Sequence, residues 1–134
     1  MMQGIAPLAI AELRKKYPSG LFVDLSQQST GLSVNRYFDW PAKIQEESLK
    51  QGFNIVVIFL GPNDPWDIYE GRVKYVFPSE AWREKYRSRI REIMDFALLH
   101  KIHIIWIGLP NMGQERIKQG ALIQNTLFKE EISR

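Results

Sequence analysis

The chain has 134 residues, 45% of them hydrophobic, and 18 Lys and Arg against 15 Asp and Glu give a formal net charge of +3. That size and apolar share fit one domain able to bury a core of its own. The lack of cysteine excludes disulfides and thiolate metal sites, and no apolar run is long enough to span a bilayer.

Helix and strand patterns alternate along the chain. Pro7 to Tyr17 reads as an amphipathic helix stopped by Pro18-Ser19-Gly20, and Leu21-Phe22-Val23-Asp24-Leu25 as a short strand. Asp39 suits the N-cap of a helix from Trp40 to Gln51, with Pro41 tolerated in the first turn and Gly52 near the end. Asn54 to Leu60 is almost wholly apolar and β-branched, the pattern of a strand covered on both faces. Tyr69 to Phe77 can form a hairpin around Glu70-Gly71. Ser79 caps a long helix reaching Lys101, Ile102 to Ile107 repeats the buried-strand pattern, and a last helix runs from about Gln114 to Glu131. The alternation predicts an α/β fold with a parallel sheet.

In the long helix, Trp82, Tyr86, Ile90, Ile93 and Ala97 recur at spacings of three and four and form one apolar stripe. Arg83, Lys85, Arg87, Arg89 and Arg91 are interspersed with Glu80, Glu84 and Glu92, which describes a solvated face better than a nucleic-acid surface. A nucleic-acid binder would show affinity falling steeply with salt. The sequence offers no recognition motif or stacking platform to go with its charge.

The strand Ile55-Val56-Val57-Ile58-Phe59-Leu60 ends in Gly61-Pro62-Asn63-Asp64. In open α/β sheets ligands sit at the carboxyl ends of strands, so this turn is the candidate site. Pro62 and Pro65 bracket Asn63-Asp64 and stiffen it, which suits an amide that must point at its target before charge develops. Trp66 and Tyr69 follow, with Tyr75 and Phe77, and rings near such a turn can stack on sugars or simply pack a loop.

A strand followed by Gly-x-Asn-Asp resembles the third block of the SGNH (GDSL-type) hydrolases. Ser29-Thr30-Gly31-Leu32-Ser33 and then Tyr37-Phe38-Asp39-Trp40-Pro41-Ala42-Lys43 look like the second block and the helix start after it. Ser79-Glu80-Ala81-Trp82 with Tyr86 and Arg89, and Trp106-Ile107-Gly108-Leu109-Pro110-Asn111-Met112, look like a bacterial branch known mainly as a domain of unknown function. The resemblance implies a three-layer α/β/α, flavodoxin-like parallel sheet and a serine esterase or acetylhydrolase acting on acylated carbohydrate or cell-wall polymer. It also implies an exported or envelope location, no metal or organic cofactor, and an oxyanion held by the Gly31 amide, the Asn63 side chain and the N–H of the nucleophilic Ser. Asp64 then pins the turn, and Trp66 and Tyr69 are the candidate substrate contacts.

Two family blocks are missing. Aligning the glycine of the first block, Gly-Asp-Ser, with Gly4 puts the nucleophilic Ser immediately before Met1, and no Asp-x-x-His occurs anywhere. The resemblance therefore implies one domain over residues 1–134 without its first and last strands and inactive in this form, since a nucleophile without a base in hydrogen-bond reach remains weak. His100 and His103 fall where the long helix gives way to a strand, the wrong edge for a base, and Ser26, Ser29 and Ser33 suit turns and caps. A non-catalytic binding or assembly module on the same scaffold is the alternative. An empty slot beside exposed strand edges leads us to expect a homodimer or a strand-swapped oligomer that completes the sheet.

Overall fold

Two parallel strands and three of the four helices organise the core. The computed structural model describes residues 2–134. Its elements in order are α1 (Met2–Lys16), α2 (Trp40–Gln51), β1 (Ile55–Ile58), β2 (Ile68–Glu70), β3 (Val73–Tyr75), α3 (Glu80–Leu99), β4 (His103–Trp106) and α4 (Glu115–Ile132). The α/β class is as expected, and from the second helix onward so is the order of elements. Among the described residues no helix is long and apolar enough to cross a membrane.

Local chemistry sets the boundaries. The Ala42 N–H donates to the Asp39 carboxylate at 3.1 Å, and the Trp82 N–H to the Ser79 hydroxyl at 3.2 Å, so both predicted N-caps hold their helices. The Gly52 N–H closes α2 onto the Ser48 carbonyl at 2.9 Å. β2 and β3 pair antiparallel, with Glu70 opposite Val73 across Gly71-Arg72, which is the predicted hairpin.

β1 and β4 pair parallel in the register Ile55 to His103 through Ile58 to Trp106. α2 packs on α3 and α3 on α4. The predicted stripe on α3 is buried throughout: Trp82, Tyr86, Ile90 and Ile93 are fully enclosed and Ala97 nearly so. A file of rings crosses the core from hairpin to sheet. Phe77 meets Trp82 edge-on at 4.9 Å, Trp82 stacks on Tyr86 at 4.8 Å, and Phe128 lies between Tyr86 at 6.3 Å and Trp106 at 4.8 Å.

Three expectations need correction. Residues 21–25 form no strand; they run extended without a ladder partner, and a strand exists only where another chain segment takes its backbone groups. The apolar pattern of the two core strands is covered on one face rather than both. Val56, Ile58, Ile104 and Trp106 join the core, whereas Ile55, Val57 and Ile105 remain about half exposed. The first helix also begins earlier than predicted, at Met2, because Pro7 is accommodated within it.

The positive charge of α3 is largely spent inside the molecule. Arg87 and Arg91 both reach the buried Glu131 of α4, Arg91 through two bonds of 3.0 and 2.8 Å, and Lys85 pairs with Glu70 of the hairpin. The hydrogen bonds from Arg91 hold the Glu131 carboxyl below its ordinary value of 4.5, against the upward pull of burial. A carboxyl lowered on folding contributes stability that is complete above its unfolded value and lost as pH falls through the folded one. Urea unfolding should therefore show Glu131→Gln less stable than wild type at pH 7, with the difference vanishing toward pH 3. A difference that does not change with pH would show that the pairs with Arg87 and Arg91 contribute nothing.

Candidate oxyanion-binding site

The turn after β1 is built from both ends. Gly61 takes φ +139°, a conformation that side chains rarely adopt, and an added Cβ there would stand 3.0 Å from Gln124 Nε2. The Asp64 N–H closes the turn onto the Gly61 carbonyl at 2.8 Å, and Gln124 on α4 donates to the same carbonyl at 2.9 Å. Gln124 also donates to the Tyr86 hydroxyl at 2.9 Å.

Asp64 is fully buried among a set of donors. Its carboxylate accepts from the Leu32 N–H at 3.0 Å, the Ser33 N–H at 2.8 Å, the Ser33 hydroxyl at 2.9 Å and the Tyr86 hydroxyl at 2.7 Å. Arg89, also buried, donates to the Leu32 carbonyl from the other side of the loop. Burial raises the Asp64 carboxyl above its ordinary value, while its four donors pull it down. Burial and then the Asp64 charge push the Tyr86 hydroxyl well up, so it stays protonated and donates. Burial likewise lowers the Arg89 guanidinium.

This carboxylate fastens the loop at residues 31–33 to the turn at 61–64. A Cβ at Gly31 would lie 2.7 Å from the Asp64 carboxyl carbon, so glycine is what lets the two segments close. Next to Gly31, Thr30 is locked by its hydroxyl, which donates to the Gln27 carbonyl at 2.7 Å and accepts from the Trp40 indole at 2.9 Å. The Thr30 carbonyl then receives one N–H of the Asn63 amide at 3.2 Å. The Gly31 N–H has no protein acceptor among the described residues.

Gly31 and Asn63 therefore border a single cavity of about 190 Å3, lined also by Ser29, Thr30, Val34, Tyr37 and Phe38. Its volume is below the roughly 300–1,000 Å3 of sites for drug-sized ligands, so it suits one small group. Ser29 lines it with φ +58°, a left-handed backbone uncommon outside glycine. A larger groove of about 440 Å3 runs between α3 and α4; of its two arginines, Arg87 is paired with Glu84, Glu130 and Glu131 and Arg83 donates to the Pro78 carbonyl at 3.3 Å, and Asn63 does not line it.

The sequence-predicted residues divide into two sets. Gly31, Asn63 and Asp64 come together at the cavity; Trp66 and Tyr69 do not line it. Trp66 is half exposed with the Arg116 guanidinium 4.5 Å from its ring, and Tyr69 projects from the hairpin beside Lys74. Tyr37 and Phe38 were read only as the lead-in to α2, yet they form the aromatic side of the cavity, and Tyr37 is 77% exposed at its rim. Two aromatic residues directly before an N-cap, within the second block, were the available signal. His103 lies opposite Ile55 at the amino end of the parallel pair, and His100 caps α3 there, so both are at the edge of the sheet away from Asn63.

Fold and site together define an α/β protein with a small cavity at a strand's carboxyl end. The chain belongs to the family described as a protein of unknown function (DUF459), whose model matches residues 1–134. No curated protein matches it.

Asp64→Ala would leave two loop N–H groups and the Tyr86 hydroxyl buried without an acceptor, at about 1–3 kcal/mol each and not additively. The expected loss is about 3 kcal/mol or more by denaturant unfolding. Gly31→Ala should cost a comparable amount because it displaces the same carboxylate, and the double variant should cost far less than the two losses combined. Additive losses would mean that Gly31 and Asp64 act separately.

Proposed function

We propose that this chain carries the oxyanion-binding part of an SGNH-type serine esterase acting on acylated carbohydrate or cell-wall polymer at the bacterial envelope. The observation that carries this reading is that Gly31, whose N–H meets no protein acceptor among the described residues, and Asn63 line one small cavity. An ester carbonyl seated there would meet two donors held in place before charge develops on its oxygen. Asp64 and Arg89 serve as positioning residues, since they hold the loop that presents Gly31. The cavity admits a short acyl group, and the exposed ring of Tyr37 supplies an aromatic surface at its mouth for a sugar.

A second reading is a binding or assembly module that uses the same corner without chemistry. What favours it is the placement of both histidines at the far edge of the sheet, which leaves no base beside Asn63 among the described residues.

Calorimetric titration with O-acetylated and de-O-acetylated cell-wall glycan fragments tests the shared claim. Wild type should prefer the acetylated fragment by about tenfold, or ~1.4 kcal/mol, and Asn63→Ala should lose the preference. Equal affinity of wild type for both fragments would remove the acyl-binding reading altogether. Hydrolysis of p-nitrophenyl acetate by a chain extended at both ends to restore the Gly-Asp-Ser and Asp-x-x-His blocks separates the two versions. Turnover that falls about a hundredfold to a thousandfold in Asn63→Ala identifies the esterase, and binding without turnover identifies the module.

A further inference from the structure

Most arginines of this chain are engaged by the protein itself. Arg87, Arg91 and Arg134 face carboxylates, and Arg14, Arg83 and Arg89 donate to backbone carbonyls. Arg36 and Arg116 differ, because each lies over an aromatic ring beside the candidate site.

The Arg116 guanidinium stands 4.5 Å from the Trp66 ring and 5.2 Å from that of Phe77, and its Nε donates to the Pro65 carbonyl at 2.6 Å. A ring against the face of a guanidinium uses none of its five in-plane donors, so one bond and two rings fix the group while both terminal nitrogens stay without an acceptor among the described residues. The neighbouring Asp67 carboxylate does not take them, being held by the Phe77 N–H at 2.8 Å and Lys74 at 3.2 Å. Arg36 is exposed, lies 5.2 Å from the Tyr37 ring and has no hydrogen bond or ion pair among the described residues.

Both pairs adjoin the Asn63 cavity. Tyr37 lines it, and Trp66 follows Asn63 by three residues, which limits their separation to about 11 Å along the backbone. Trp66 is 54% exposed, so each pair offers an accessible ring next to a cation with free donors. A guanidinium fork matches a carboxylate or phosphate with two parallel bonds, and one already held in place loses little freedom on binding. We propose that the polymer whose acyl group enters the cavity is acidic, and that Arg36 and Arg116 receive the carboxylates or phosphates of the units on which Tyr37 and Trp66 pack. This rests on the acyl-binding reading above and adds to it the charge of the substrate and the residues that select it.

Calorimetric titration of the full chain with an O-acetylated hexuronate tetrasaccharide and its equally acetylated, carboxyl-reduced counterpart tests the proposal. Wild type should bind the acidic form about tenfold more tightly, less so as salt rises. Arg36→Gln and Arg116→Gln should each cut that preference about threefold, and the double variant should remove it. Lys101→Gln removes the same charge just before β4, at the amino edge of the sheet, and should change nothing. Arg36→Gln keeps the test decisive if Arg116→Gln loosens the Pro65 turn, because Arg36 holds no other part of the chain. A matched pair of O-acetylated glycans with and without phosphodiesters distinguishes the two anions: the pair that shows the arginine-dependent preference names the group. Equal binding within both pairs overturns the proposal, and a retained preference for acetylated over de-acetylated fragments would then leave the esterase reading standing. An acid preference that survives the double variant, or that Lys101→Gln reduces as much, overturns it as well. Acid preference without acetyl preference removes the acyl-binding reading and this assignment with it.

Discussion

One buried carboxylate holds the loop and the turn of the candidate site in register. Asp64 is enclosed completely, and it gathers donors from two consecutive loop amides, a loop hydroxyl and a helix phenol. A charge in that position is tolerable only because every approach to it is occupied by a hydrogen-bond donor. The segments it joins are more than thirty positions apart in sequence, and the bond from the Asn63 amide to the Thr30 carbonyl adds a second tie between them. Asn63 and Gly31 are neighbours because their flanking residues share this anion. The most polar point of the interior is thus the fixed reference for a surface corner whose own groups are free to bind.

The helices supply the frame around that reference. Tyr86 belongs at once to the aromatic file and to the Asp64 cluster, so packing of the core and geometry of the corner share a side chain. Gln124 repeats the theme from α4 by bonding both Tyr86 and the Gly61 carbonyl. Farther along α4, Glu131 gathers the arginines of α3. The net positive charge of the chain is consequently a poor guide to its partners, because the helix that carries much of it uses that charge for internal ties.

The sequence revealed what depends on short spacing. The caps at Asp39 and Ser79, the hairpin at Gly71 and the stripe from Trp82 to Ala97 each follow from residues within a turn or a few turns of one another. The Gly61-Pro62-Asn63-Asp64 turn was also legible, since a strand end and two prolines announce it. What escaped was set by distance along the chain. The burial of Arg89 depends on a carbonyl 57 residues away, and the place of Tyr37 and Phe38 on the cavity depends on how Asp64 draws in the loop before them. The segment 21–25 has the composition of a strand, but strand formation belongs to a pair of segments, and composition describes only one of them.

The bond between Trp40 and Thr30 has a practical consequence. The indole is nearly buried, and its N–H ends on the hydroxyl of the residue whose carbonyl receives the Asn63 amide. Any occupant that draws the amide away from Thr30 alters the polarity around that one ring. The corner therefore contains its own fluorophore: occupancy will register as a shift in intrinsic emission, which the half-exposed Trp66 can be kept out of by collisional quenching.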